Sequence, residues 1–138
     1  MDSHLFIENI VRAVIVSGDK LLVCKAKEAD WCFLPGGHIE FGESAQKALA
    51  REIREELGTV AKLGESVGVV ENIFKQNGTK HHELNLVFVV EIGTEKIVSR
   101  ENHISFEFIE IKSLNKVKLL PESLKTMLIG WLSEKKKI

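Results

Sequence analysis

GHIEFGESAQKALAREIREELG, residues 37–58, follows directly on Pro35-Gly36 and decides how the chain folds. Ser44 is a natural N-cap and Gly58 a natural C-terminal stop. No proline or glycine lies between them, so the pattern predicts a helix. At about 100° per residue, Glu52, Glu55 and Glu56 fall within an arc of roughly 100°. Leu49, Ala50, Ile53 and Leu57 form a separate apolar sector for the core, while Lys47 and Arg54 point to solvent on a third side. Ala45 and Ala48 fall on the acidic side, where small side chains leave room for the preceding loop and a ligand.

The acids gather near the C-terminal end of this helix, where the helix dipole already places partial negative charge. Like charges about 4 Å apart cost roughly 1 kcal/mol in water and about 4 at an effective dielectric of 20. Arg51 flanks Glu55 on the wheel and offsets part of that cost. A hard dication bound by carboxylate oxygens would offset far more. A solvated acidic face is the plain alternative, but the separate sectors, the leading glycines and the tight acid cluster argue against it.

The run resembles the signature of the Nudix hydrolases: G, five residues, E, seven residues, R-E, an aliphatic, any residue, E-E, any residue, G, then an aliphatic. Gly37, Glu43, Arg51, Glu52, Ile53, Glu55, Glu56 and Gly58 match in order. Thr59 departs from the final aliphatic, although it is β-branched and Val60 follows it. Trp31-Cys32-Phe33-Leu34-Pro35-Gly36-Gly37 resembles the family's approach to the signature, and Glu107-Phe108 its closing strand.

The remainder fits one domain over residues 1–138, a length that buries a substantial core. A formal net charge of −1 and the lack of a long basic block disfavour nucleic acid as a partner. The basic tail Glu134-Lys135-Lys136-Lys137 reads as a solvated terminus. No stretch approaches the roughly 20 apolar residues of a membrane span, and Met1-Asp2-Ser3-His4 lacks a signal-peptide pattern, so a cytoplasmic setting is expected. Cys24 and Cys32 have no metal spacing and read as buried thiols. Exposed strand edges leave pairing into a homodimer open.

Ile10 to Val16 and Lys20 to Cys24 read as a strand pair turned by Ser17-Gly18-Asp19. Val67 to Phe74 and His82 to Ile92 are strand-like, joined through Asn77-Gly78, a strong hairpin signal. Ile104 to Ile111 is another strand. Pro121 opens an amphipathic helix whose Leu124, Met127, Leu128, Trp131 and Leu132 face the core. This order fits the α/β class and the α/β/α sandwich, with a mixed central sheet, that the resemblance implies.

The resemblance further implies hydrolysis of a phosphoanhydride bond in a nucleoside diphosphate linked to another moiety, with Mg²⁺ or Mn²⁺ as cofactor. It assigns Glu52 and Glu56 as principal metal ligands, with Glu55 beside them or acting through a metal-bound water. The Gly36 or Gly37 carbonyl completes the set. Arg51 orients a glutamate, and Glu43 anchors the loop to the helix start. Glu52 and Glu107 are both candidates for the general base. Glu107 reads equally as an exposed strand residue alternating with Phe106 and Phe108, while Glu101 and His103 are lesser candidates in a loop.

Substrate contacts are less marked. Trp31 and Phe74 can stack on a base or simply pack, and His38 can face phosphate or solvent. His81 and His82 are adjacent on a strand and point to opposite faces. His82-Glu83 either lines the pocket or reflects strand-edge polarity. Two other classes share the fold: a catalytically silent nucleotide-binding or regulatory module, which would be expected to break the signature acids, and an isomerase of isoprenoid diphosphates, for which the chain is short.

Overall fold

A computed structural model describes residues 6–93 and 104–136. The central helix α1 spans Ala45–Leu57. Its cap is as the sequence requires: Ser44 Oγ accepts from Lys47 N at 3.2 Å. At the other end Gly58 takes a left-handed conformation and its N–H donates to Arg54 O. Ahead of α1 come five strands, β1 (Glu8–Val14), β2 (Val16–Ser17), β3 (Lys20–Ala26), β4 (Cys32–Phe33) and β5 (Gly36–His38). After it come β6 (Ala61–Gln76), β7 (Thr79–Ile92) and β8 (Ile104–Glu110). A 3-10 turn at Ile111–Lys116 then leads to α2 (Glu122–Lys136).

The strands form two sheets. One runs β5-β1-β7-β6, with β1 parallel to β7 and its other pairs antiparallel. The second is antiparallel and centres on β3, which pairs with β2 and β4 and with β8. The expected pairing of Ile10–Val16 with Lys20–Cys24 is therefore corrected. Only Val16–Ser17 pairs with β3, while β1 joins the other sheet. The chain crosses between sheets at Ile15, which is 2% exposed and whose carbonyl accepts from Leu22 N. The Asn77-Gly78 hairpin is as expected, with φ of 52° and 78° at the two turn residues, the paired positive values a type I′ turn demands.

Neighbouring residues on these strands pack to opposite sides, which makes the layers. Val11 and Ala13 of β1, Leu22 of β3 and Phe88 of β7 pack with Leu49, Ile53 and Leu57 of α1. Val14, Leu21, Val23 and Val87 pack with Leu124 and Leu128 of α2. The sheets are thus held between two helices, the α/β/α arrangement expected. Ala48 is fully buried in the α1 layer and Ala45 packs against it, so these alanines face the core rather than a ligand. Val60 is 75% exposed and does not fill the aliphatic position beside Thr59. No helix among the described residues is long and apolar enough to cross a membrane.

Candidate active site

The loop before α1 approaches β1 very closely. Gly36 pairs with Arg12 at a φ of 151°, and a Cβ there would run into the Val11 carbonyl. Only glycine lets the two backbones meet. This brings Gly37 against the side of α1, where an added Cβ would lie within 2.6 Å of both Glu52 carboxylate oxygens.

Arg51 organises the surrounding acids. Its Nε and one terminal nitrogen donate to the two oxygens of Glu43 at 2.8 and 2.9 Å, a bidentate pair. The other terminal nitrogen donates to Glu52 at 2.9 Å and, more loosely, to Glu55 at 3.4 Å. Arg51 also donates to the His38 carbonyl at 3.0 Å. Glu43 accepts from Glu40 N as well, so it fastens the loop to the helix as expected.

The Arg51 hydrogen bonds hold the Glu43 carboxyl down to about 2, from an ordinary value of 4.5. A depressed carboxylate contributes stability that is present above pH 4.5 and lost as pH falls through the folded-state value. Glu43→Gln lacks this ionisation. Its melting temperature should fall furthest below wild type above pH 4.5, with the gap closing toward pH 2. Melting curves of both proteins across that range check it; a gap independent of pH would refute the role of the ion pair.

The three motif acids differ in setting. Glu56 is only 5% exposed and turned inward, Glu52 has a side chain 16% exposed against Gly37, and Glu55 stands 57% exposed beside Arg51. Arg51, rather than a cation alone, offsets part of their repulsion. Among the described residues no three carboxylate, imidazole or thiol groups converge as a complete metal cage. The donor set still suits Mg²⁺: it is all oxygen, and this ion keeps several waters and takes one or two carboxylates together with substrate phosphates. The Glu52 carboxylate takes the space beside Gly37, so any side chain at residue 37 would displace it.

A pocket of about 650 Å³ opens on the α2 side of the larger sheet. Trp31, Phe33 and Phe74 supply aromatic walls, while Arg12, Asn72 and Glu83 supply polar groups. Trp31 and Phe74 are thus brought together, as a stacking role requires. Arg12 is a further site residue, whose trace in the sequence is a lone arginine within the apolar run Ile10–Val16. It donates to the Leu34 carbonyl at 3.0 Å and to Asn85 Oδ1 at 3.5 Å, with its guanidinium 5.7 Å from the Phe33 ring centre. Burial pushes it down from its ordinary value, and Glu83, then Cys24, Glu56 and Glu52, work against that shift. Arg12 therefore stands electrostatically between pocket and glutamates.

Other expected residues lie elsewhere. The His38 imidazole is 63% exposed and sits 2.9 Å from Glu8 Oε1. His82 points away from the pocket and meets Glu71 at 2.7 Å, whereas its neighbour Glu83 does line the pocket. His81 turns to the other face, as alternation requires, toward Glu8. On β8, Phe106 and Phe108 pack on the α1 side, so the exposed Glu107 stands on the opposite face. There it joins burial, the larger cause, in pushing the Cys32 thiol up. The fold does not bring Glu107 to Glu52 and Glu56. Glu101 and His103 lie outside the described residues.

A family model described as "NUDIX domain" matches residues 8–128. The chain is 29% identical over 110 residues to the ADP-ribose pyrophosphatase of Methanocaldococcus jannaschii, a match covering 78% of this chain and 64% of that relative. It therefore spans less than two thirds of the archaeal protein. It is 25% identical over 117 residues to the uncharacterised Nudix hydrolase YvcI of Bacillus subtilis, covering 84% of this chain and 74% of the other. Among solved structures, a NUDIX hydrolase from Nitrosomonas europaea superposes with a TM-score of 0.77 at 21% identity, over 94% of this chain and 91% of that one.

Proposed function

The chain belongs to the Nudix family, and from that premise we propose that it is a divalent-metal-dependent pyrophosphohydrolase. Its substrate is a nucleoside diphosphate linked to another moiety, cleaved at a phosphoanhydride bond. The observation that carries this is the Glu52 carboxylate seated against Gly37 and held by Arg51, on the same helix as the buried Glu56. An aromatic pocket able to take a base lies beside Arg12. The setting proposed is cytoplasmic, with a small-molecule substrate and no nucleic-acid partner.

In this reading Glu52 and Glu56 hold Mg²⁺ or Mn²⁺, with Glu55 and the Gly37 carbonyl as further oxygen donors. Bound there, the ion neutralises charge on the diphosphate and lowers the pKa of water. The protein's own groups do the rest. Arg51 fixes the rotamer of Glu52, which spares that side chain the cost of ordering when substrate arrives. Glu43 fastens Arg51 and the Gly37 loop to the helix start. Glu55, exposed and only lightly held at 3.4 Å by Arg51, has a second carboxylate oxygen to accept a proton from the attacking water. Trp31 and Phe74 receive the base and exclude water from its faces.

Product assays over a panel of nucleoside diphosphate derivatives, with Mg²⁺ and with Mn²⁺, test the reading, the phosphomonoesters being separated by anion exchange or detected as phosphate freed by an added phosphatase. ADP-ribose belongs in that panel because it appears in the name of the archaeal relative. Two phosphorylated products are expected from the preferred substrate, and tight binding without turnover would refute hydrolysis. Trp31→Ala should raise KM roughly 5- to 150-fold, the loss of about 1–3 kcal/mol of base stacking. An unchanged KM would remove Trp31 from the site.

A further inference from the structure

One row of side chains crosses the larger sheet from strand to strand. His38 lies on β5, Glu8 on β1, His81 on β7 and Phe74 on β6, following the spatial order of the strands. Glu8 links the first three: one carboxylate oxygen is 2.9 Å from His38 Nε2 and the other 3.3 Å from His81 Nδ1. His81 then stacks on Phe74, with ring centres 5.0 Å apart and planes 15° from parallel. Phe74 is a wall of the 650 Å³ pocket. At the other end, His38 follows Gly37 and its carbonyl is held by Arg51.

Resting on the reading of that pocket as the nucleotide site, we infer that Glu8 is a positioning residue for nucleotide binding: it fixes the His81–Phe74 stack that walls the pocket and ties that wall to the Gly37 loop. Nothing in the row is apolar cross-strand packing alone. An ionised carboxylate can only accept hydrogen bonds, so each imidazole must present an N–H to it. That fixes which way the His81 ring faces, and the ring in turn fixes the plane of Phe74. The side chain of Glu8 is only 28% exposed and that of His81 only 27%, so the link is partly shielded from water. Without Glu8, His81 is free to rotate on the sheet surface and the aromatic wall loses its backing. Ordering that wall would then draw on the binding energy of the nucleotide.

The test compares Glu8→Ala, Glu8→Gln, His81→Ala and the Glu8→Ala/His81→Ala double variant with wild type. ADP is the probe for calorimetric binding, and the preferred panel substrate serves for kinetics. Glu8→Ala and His81→Ala should each weaken ADP binding and raise KM about three- to tenfold, the scale of one aromatic contact, with kcat within about twofold. The double variant should bind no worse than either single, because both act through one stack. Glu8→Gln keeps an acceptor oxygen for His81 and should recover most of the affinity.

ADP binding by Glu8→Ala at wild-type strength would overturn the inference, and so would additive losses in the double variant or a fall in kcat with binding unchanged. If Glu8→Ala fails to fold, His81→Ala decides: wild-type affinity there overturns the role of the stack. Wild type that binds ADP but hydrolyses nothing would sink the hydrolase reading and leave the binding comparison standing. Wild type that binds no nucleoside diphosphate would overturn both.

Discussion

Glu56→Gln should cut turnover by roughly 10²- to 10³-fold, about 3–4 kcal/mol of transition-state stabilisation, by removing one negative ligand of the proposed cation. The substitution preserves shape at a position only 5% exposed, so the far-UV circular dichroism spectrum should stay that of wild type. Its electrostatic neighbourhood makes the result informative. Glu56 lies one turn from Glu52 and also contributes to the negative field around Arg12, behind Glu83 and Cys24. An amide there leaves Arg12 the larger influences of Glu83 and Cys24 and relieves repulsion within the helix. The loss should therefore fall on the metal rather than on the fold.

Melting with and without Mg²⁺ separates the two. A cation at ten times its Kd stabilises the folded state by about 1.4 kcal/mol, which raises the melting temperature of a domain this size by roughly 4 °C. Wild type should show that rise, and Glu56→Gln should lose most of it. Near-normal kcat/KM in the variant would refute the ligand assignment, as would an undiminished response to Mg²⁺.

What could be read in advance follows the range of the forces involved. The limits of α1 were legible because Ser44 and Gly58 act on their own neighbours. Asn77-Gly78 was legible for the same reason, its turn being set by two residues. The destination of β1 was not. Its alternation is the same whichever sheet it joins, and its partners His38 and Glu83 are remote in sequence. A helical wheel gave the angle of Ala48 but not the surface facing that angle, which proved to be the core. The same holds at Glu107: alternation separates it from Phe106 and Phe108, yet says nothing about which of the two faces meets α1. The acid cluster was legible as composition, whereas its division into a buried Glu56, a clasped Glu52 and an exposed Glu55 depends on where Arg51 reaches. Arg12 and Glu8 matter through contacts across strands, and such contacts leave only a charged residue in or beside an apolar run as their trace.

Gly37→Ala should lower kcat about 100-fold, the usual cost of misplacing a reacting group by around 1 Å, while changing the melting temperature little. What the new methyl meets decides the outcome. At Gly37 it meets the far end of a flexible side chain, with both Glu52 carboxylate oxygens within 2.6 Å. Glu52 can swing away by rotating its own torsions, so the backbone need not move. Doing so breaks its 2.9 Å bond from Arg51 and takes its oxygens out of the proposed metal position. Gly36→Ala is the contrasting case, because its methyl meets the Val11 carbonyl, which is backbone, at a φ of 151° that alanine rarely adopts. No side-chain rotation relieves that clash, and the variant should lose stability first and activity in consequence. Melting temperature and kcat measured on both variants tell the two costs apart. If Gly37→Ala kept wild-type kcat, Glu52 would not be needed where the loop now holds it, and the carboxylate would have no part in the chemistry.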